Sequence, residues 1–176
     1  MNHARVLGIT GWSGSGKTTL IVKLIPLLVA RGLRIATLKH AHHNFDVDQP
    51  GKDSYEHRQA GAGEVLISSA RRWAQMHELG GGTELTLAQL LRRVSPCDLI
   101  LVEGFKTERH WKLEVFREAP GKRPLYPEDP HIVAIACDRG PPGARLPVVD
   151  LDDIEAIADL VIKHAEPLDL VLARLG

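Results

Sequence analysis

The sequence predicts an α/β fold in which a mostly parallel sheet lies between two layers of helices. Three observations predict it. Strand and helix patterns alternate along the chain, the rhythm of βαβ units. Two strands, 98–103 and 132–137, are dominated by unbroken apolar runs, which implies burial on both faces as in a parallel sheet. A glycine-rich loop joins the first strand to the first helix.

The elements follow in chain order. Val6–Thr10 reads as a short buried strand and Leu20–Arg31 as a helix so apolar that most of it is expected to be buried. Pro26 inside that helix removes one backbone hydrogen bond and predicts a kink, and Gly32 supplies a C-terminal cap. Leu33–Leu38 is a second strand. A loop around Pro50-Gly51 follows, then a helix from Asp53 to Ala60 with Asp53 as N-cap and Glu56 at capping-box spacing. Glu64–Ser69 is a third strand and Arg72–Leu79 a polar one, expected at a sheet edge. After the Gly80-Gly81-Gly82 turn, Thr83–Val94 is an amphipathic helix stopped by Ser95-Pro96. Trp111–Phe116 alternates as a strand does. Pro147–Asp150 is a brief strand, Asp152 or Asp153 caps a helix through Lys163, and Leu168–Leu175 adds a final helical turn or two. One domain is expected over residues 1–176.

Composition excludes several function classes. Lys plus Arg equals Asp plus Glu at 22 each, so the chain lacks the basic excess of a nucleic-acid-binding protein and carries no polybasic run for a membrane surface. No apolar stretch reaches the ~20 residues of a membrane span. Met1-Asn2-His3-Ala4-Arg5 runs straight into the first strand, with no room for a signal peptide, and Cys97 and Cys137 form no C-x-x-C pair. A cytoplasmic protein with two buried thiols is expected.

The chemistry is concentrated at strand ends. Gly11-Trp12-Ser13-Gly14-Ser15-Gly16-Lys17-Thr18 fits G-x-x-x-x-G-K-[ST], the phosphate-binding P-loop, in the strand–loop–helix context it needs. Its glycines let backbone N–H groups form an anion nest, and the following helix points its positive end at the same anion. Lys17 would reach the outer phosphates and the Thr18 hydroxyl would ligate Mg²⁺. Glu103 ends the 98–103 strand, where P-loop proteins carry an acid that holds Mg²⁺ or positions water; the plain alternative is a capping glutamate. Asp98 begins that strand and lies at the wrong end for a metal.

Asp53 is a second candidate for Mg²⁺, directly or through water, in a loop that would close on the γ-phosphate; its alternative is the N-cap alone. Lys39, His40, His42 and His43 follow the second strand and suit phosphate or substrate contact better than a closed zinc shell, since no cysteine is near; a solvated loop is the other alternative. Asp138 follows the 132–137 strand, where guanine-binding P-loop proteins place an aspartate, but Ile135-Ala136-Cys137-Asp138 lacks the rest of the Asn-Lys-x-Asp signature. A loop-capping role is the alternative.

These motifs together resemble the molybdopterin-guanine dinucleotide biosynthesis protein B (MobB) family. The resemblance rests on the P-loop, Leu38-Lys39-His40-Ala41-His42-His43, Pro50-Gly51-Lys52-Asp53-Ser54, Ala60-Gly61-Ala62 and Leu101-Val102-Glu103-Gly104-Phe105-Lys106. It is strong from about Val6 to Lys106. It implies a P-loop NTPase fold, GTP and Mg²⁺ as ligands, weak GTPase activity and a homodimer. It also implies assistance to the guanylyltransferase that joins GMP to molybdopterin. Carried over, the nucleotide site takes in Ser13 through Thr19, with Thr18, Asp53 and Glu103 around the metal. A P-loop small-molecule kinase and a non-hydrolytic, nucleotide-dependent module that delivers the pterin or the finished cofactor remain alternatives. The kinase reading lacks a lid, since Arg71-Arg72 and Arg92-Arg93 read as a strand edge and a solvated helix face. No arginine finger is identified.

Overall fold

A computed structural model describes residues 3–41, 45–118, 121–141 and 143–176. The chain divides into two compact units, Met1–His40 with Thr86–Gly176, and Ala41–Leu85.

The larger unit is built on a sheet whose parallel strands run in the order β2 (Ile35–Lys39), β5 (Leu99–Glu103), β1 (Arg5–Thr10), β6 (Lys112–Phe116), β7 (Ile132–Cys137), β8 (Val148–Asp150). Side chains alternate across β1. Leu7 and Ile9 pack with Leu20, Leu24 and Leu28 of α1 (Lys17–Ala30) and with Ile157 and Val161 of α4 (Ile154–His164). Val6 packs the other way, with Leu87 and Leu91 of α3 (Leu87–Leu91) and Leu168 and Val171 of α5 (Leu168–Leu175). The result is the expected three layers, each fully buried Leu or Ile contributing roughly 1.5–3 kcal/mol. A two-residue strand, β9 (Glu166–Pro167), which has no pattern of its own in the sequence, pairs antiparallel with Arg5 and Val6, below the point where β6 joins β1 at Gly8.

Several expectations are corrected. α1 starts at Lys17 and buries one stripe only: Val22 and Val29 are exposed. The helix is continuous across Pro26, which a kink there allows, and Pro26 lies on the exposed side, where water can serve the carbonyl that proline leaves free. Gly32 does close it, at φ +84°, with Leu33 N–H donating to Leu28 O. α3 is shorter than the Thr83–Val94 pattern because Thr86, not an earlier residue, forms the capping box with Gln89. The alternation in β6 does not mark a half-exposed strand. Every residue of it is buried, because Lys112 and Glu114 find partners inside.

The smaller unit holds α2 (Asp53–Gln59) and an antiparallel pair, β3 (Glu64–Ser68) and β4 (Trp73–His77). β4 is therefore half of a separate two-stranded sheet and not an edge of the main one. Arg58 gathers Asp46, Asp48 and Glu78 within this unit. Lys52, not Asp53, is the N-cap residue of α2, and Asp53 stands exposed in the first turn, where its charge still favours the helix N-terminus. Among the described residues no helix is long and apolar enough to cross a membrane, and Cys97 and Cys137 are buried thiols without a disulfide.

Candidate nucleotide site

The loop 11–16 leaves β1 and enters α1 through three positive-φ glycines: Gly11 (+143°), Gly14 (+77°) and Gly16 (+101°). Gly11 is obligatory on space as well, since a Cβ there would stand 2.4 Å from Val115 O. The first hydrogen bond of α1 runs from Leu20 N–H to Gly16 O at 2.9 Å. The N–H groups ahead of it, through Thr19, therefore have no carbonyl within the helix, the arrangement that takes a phosphate. Ser15 Oγ is buried in this loop with no hydrogen-bond partner among the described residues, a polar atom left for a ligand.

Lys17 Nζ donates to the carbonyls of Gly11 (3.0 Å) and Trp12 (2.8 Å). Burial, together with the nearby Lys106, Lys122 and Lys39, pulls its pKa below that of an ordinary lysine, while Glu103 opposes the shift. A phosphate placed there would relieve that repulsion. The Thr18 hydroxyl donates to Glu103 Oε1 at 2.7 Å, and Lys39 Nζ lies 3.6 Å from the same oxygen. A hydroxyl and a carboxylate are hard oxygen donors, and a pair of them fits Mg²⁺, which takes the rest of its shell from phosphate and water. Among the described residues there is no group of three His, Cys, Asp or Glu that could hold a metal by itself.

The turn after β5 explains its sequence. Gly104 has φ +95°, and a Cβ there would come within 3.1 Å of His40 Cβ; Phe105 is, among the described residues, the non-glycine residue at positive φ, +50°. The rings of Phe105 and His40 stand 4.8 Å apart, and His40 N–H donates to Glu103 O. Lys106 then lies 4.7 Å over the Trp12 ring. The segment 103–106 thus touches, in turn, Thr18, the β2 end and the P-loop.

Thr18, Lys17, Glu103, Lys39 and His40 come together as anticipated. His42 and His43 lie outside the described residues. Asp53 belongs to the smaller unit. Asp98 is held by Arg34 through two guanidinium bonds of 2.9–3.0 Å and its backbone N–H at 2.8 Å, which drop its pKa to about 2 and make it a structural anchor. Asp138 pairs with Arg117 at 3.2 Å and accepts its neighbour's N–H, Arg139, at 3.0 Å. Of the arginine segments, Arg93 donates to Gln89 O of α3, and Arg72 O accepts from Ser69 Oγ in the β3–β4 turn.

Sequence reasoning missed the loop after β6. Arg117 Nε donates to Ser15 O (3.3 Å), Lys122 Nζ to Ser13 O (2.8 Å), and Arg123 O accepts from Trp12 Nε1 (2.7 Å). A signal for Arg117 was present: it follows a predicted strand, as Glu103 and Asp138 do.

A P-loop between β1 and α1, with an acid at the end of the neighbouring parallel strand, defines a P-loop NTPase-like protein. The family described as molybdopterin guanine dinucleotide synthesis protein B (MobB) matches residues 6–138, and the chain belongs to that family. It is 47% identical to the molybdopterin-guanine dinucleotide biosynthesis adapter protein of Escherichia coli K12 over 90% of this chain and 91% of that one. The adapter protein of Haemophilus influenzae is 43% identical, over 91% and 89%. A crystal structure of molybdopterin-guanine biosynthesis protein B superposes with a TM-score of 0.68 at 28% identity, covering 90% of this chain and 98% of that one.

Proposed function

We propose that the chain is a GTP-binding adapter in molybdenum-cofactor biosynthesis that assists the guanylyltransferase joining GMP to molybdopterin and hydrolyses GTP slowly. The observation that carries this reading is the Thr18–Glu103 hydrogen bond beside Lys17, in a chain whose adapter relatives match it over nine-tenths of its length. The same end-to-end match favours the adapter over a small-molecule kinase.

The P-loop N–H groups, the α1 N-terminus and Lys17 bind the β- and γ-phosphates. Thr18 and Glu103 would hold Mg²⁺, which would supply charge neutralisation at the phosphates. Glu103 also has the position to orient water. In hydrolysis the water oxygen bonds to the γ-phosphorus and the β–γ bridging bond breaks. GDP leaves with that electron pair, and the water protons pass to phosphate and solvent. The protein contributes electrostatics and placement, not covalent chemistry. In this reading Asp53 would serve the metal through water, Asp138 would read guanine, and Lys39 with His40, His42 and His43 would contact phosphate or molybdopterin. The whole chain acts as one functional domain, as a homodimer, in the cytoplasm.

The test is reconstitution of GMP attachment to molybdopterin by the guanylyltransferase, with and without this chain. Stimulation is expected with the wild type. Glu103→Gln should keep GTP affinity within about threefold and lose about 100-fold in hydrolysis. No stimulation and no association with the transferase would contradict the reading.

A further inference from the structure

The sheet order β1-β6-β7 puts whatever follows β6 between the P-loop, which follows β1, and Asp138, which follows β7. The residue in that place is Arg117, and its guanidinium bridges the two. Nε donates to Ser15 O at 3.3 Å and Nη1 to Asp138 Oδ2 at 3.2 Å. A Cβ built on Gly16 would stand 3.7 Å from Nε, so the group lies against the phosphate loop itself. Asp138 Oδ1 is held from the other side by Arg139 N–H at 3.0 Å. Both side chains are about half exposed, which leaves the carboxylate open to a ligand.

We infer that Arg117 is a positioning residue for base recognition: braced on Ser15 O, it fixes the Asp138 carboxylate in the orientation that accepts guanine. This rests on the proposed role of Asp138. The chemistry is that of a rigid fork. A guanidinium is planar, so one bond to a backbone carbonyl limits where its other N–H groups point. Each carboxylate oxygen accepts more than one hydrogen bond, so Oδ1 and Oδ2 can keep Arg139 and Arg117 while taking the N1–H and 2-amino donors of guanine. Adenine offers a lone pair at N1, which the same carboxylate repels. Without Arg117 the carboxylate keeps only the Arg139 N–H, its orientation is less fixed, and the discrimination weakens. The triphosphate grip, made by the P-loop and Lys17, remains.

The experiment is calorimetric binding of GTP, ITP and ATP, each with Mg²⁺, to the full chain. Wild type, Arg117→Ala, Arg117→Lys, Asp138→Ala and the Arg117→Ala/Asp138→Ala pair are compared, with thermal midpoints as a folding control. Arg117→Ala should cut the GTP-to-ATP preference about tenfold while ATP affinity stays within about threefold. Arg117→Lys should fall between, and Asp138→Ala should erase the preference so that adding Arg117→Ala changes it no further. ITP, lacking the 2-amino donor, should lose less than GTP in every variant. Equal weakening of GTP and ATP by Arg117→Ala would reduce the residue to a brace for the P-loop and overturn the inference, as would no change in either. If Asp138→Ala keeps a wild-type preference for GTP, the base-reader reading falls and takes this inference with it. If Asp138→Ala erases the preference and Arg117→Ala spares it, the inference alone fails.

Discussion

Two sets of charge on one sheet behave oppositely. On β6, Lys112 is wholly buried, with Nζ 2.9 Å from Asp129 Oδ2 and 2.5 Å from Glu108 O, and Glu114 takes the N–H groups of Leu125 and Tyr126 on its two oxygens. At the carboxyl ends of β1 and β5, Lys17 leans on carbonyls of its own loop among other lysines, and Glu103 meets a hydroxyl. The first set is matched charge for charge or bond for bond and holds a loop in place. The second is half open, and its partners are ones a triphosphate and a divalent cation can replace. In a chain of zero net charge, the gathering of lysines around one loop marks the candidate ligand site more clearly than any single residue does.

Removing Lys112 should break the comparison hardest. Lys112→Met strands Asp129 beside His131 in a half-closed site, and the buried pair should cost about 3–5 kcal/mol on chemical denaturation. A loss below about 1 kcal/mol would mean the pair is no more structural than the P-loop charges.

A pH-graded effect follows from His110, which fills the space left by Gly8: a Cβ on Gly8 would stand 2.4 Å from its Nε2 and 2.6 Å from Lys112 Cγ. Burial first, and Lys112 second, push its pKa down to about 3, against the partial opposition of Asp129, with His131 also facing it. The unfolded chain binds this proton below about pH 6.5 and the folded chain does not until about pH 3, so stability falls as pH drops through that window. The slope from this group is at most about 1.4 kcal/mol per pH unit. His110→Leu should flatten the acid limb of a stability–pH profile, leaving the part due to His164, whose pKa burial also lowers. An unchanged limb would contradict the burial argument.

The legible part of the molecule was local. The P-loop, β1 and the apolar run ended by Glu103 are each written within about ten consecutive residues, so strand, loop and acid could be placed together. What was not legible depends on distant partners. Arg117 and Lys122 bond to backbone carbonyls more than 100 residues earlier, and no side-chain pattern announces a carbonyl acceptor. β4 reads as a polar strand, but only the fold shows that it pairs with β3 in a two-stranded sheet of its own. Asp53 carried the right residue type and spacing for a cap, yet the helix takes one more residue and leaves the N-cap to Lys52.

The central claim is that the open charges at the carboxyl ends of β1, β5 and β7 form a guanine-nucleotide and Mg²⁺ site. Its most direct test is calorimetric titration of the wild-type chain with GTP and with ATP, each with Mg²⁺ and again with the metal chelated. The account predicts a clear preference for GTP that Mg²⁺ strengthens. Equal affinities, a preference for ATP, or binding indifferent to Mg²⁺ would contradict it.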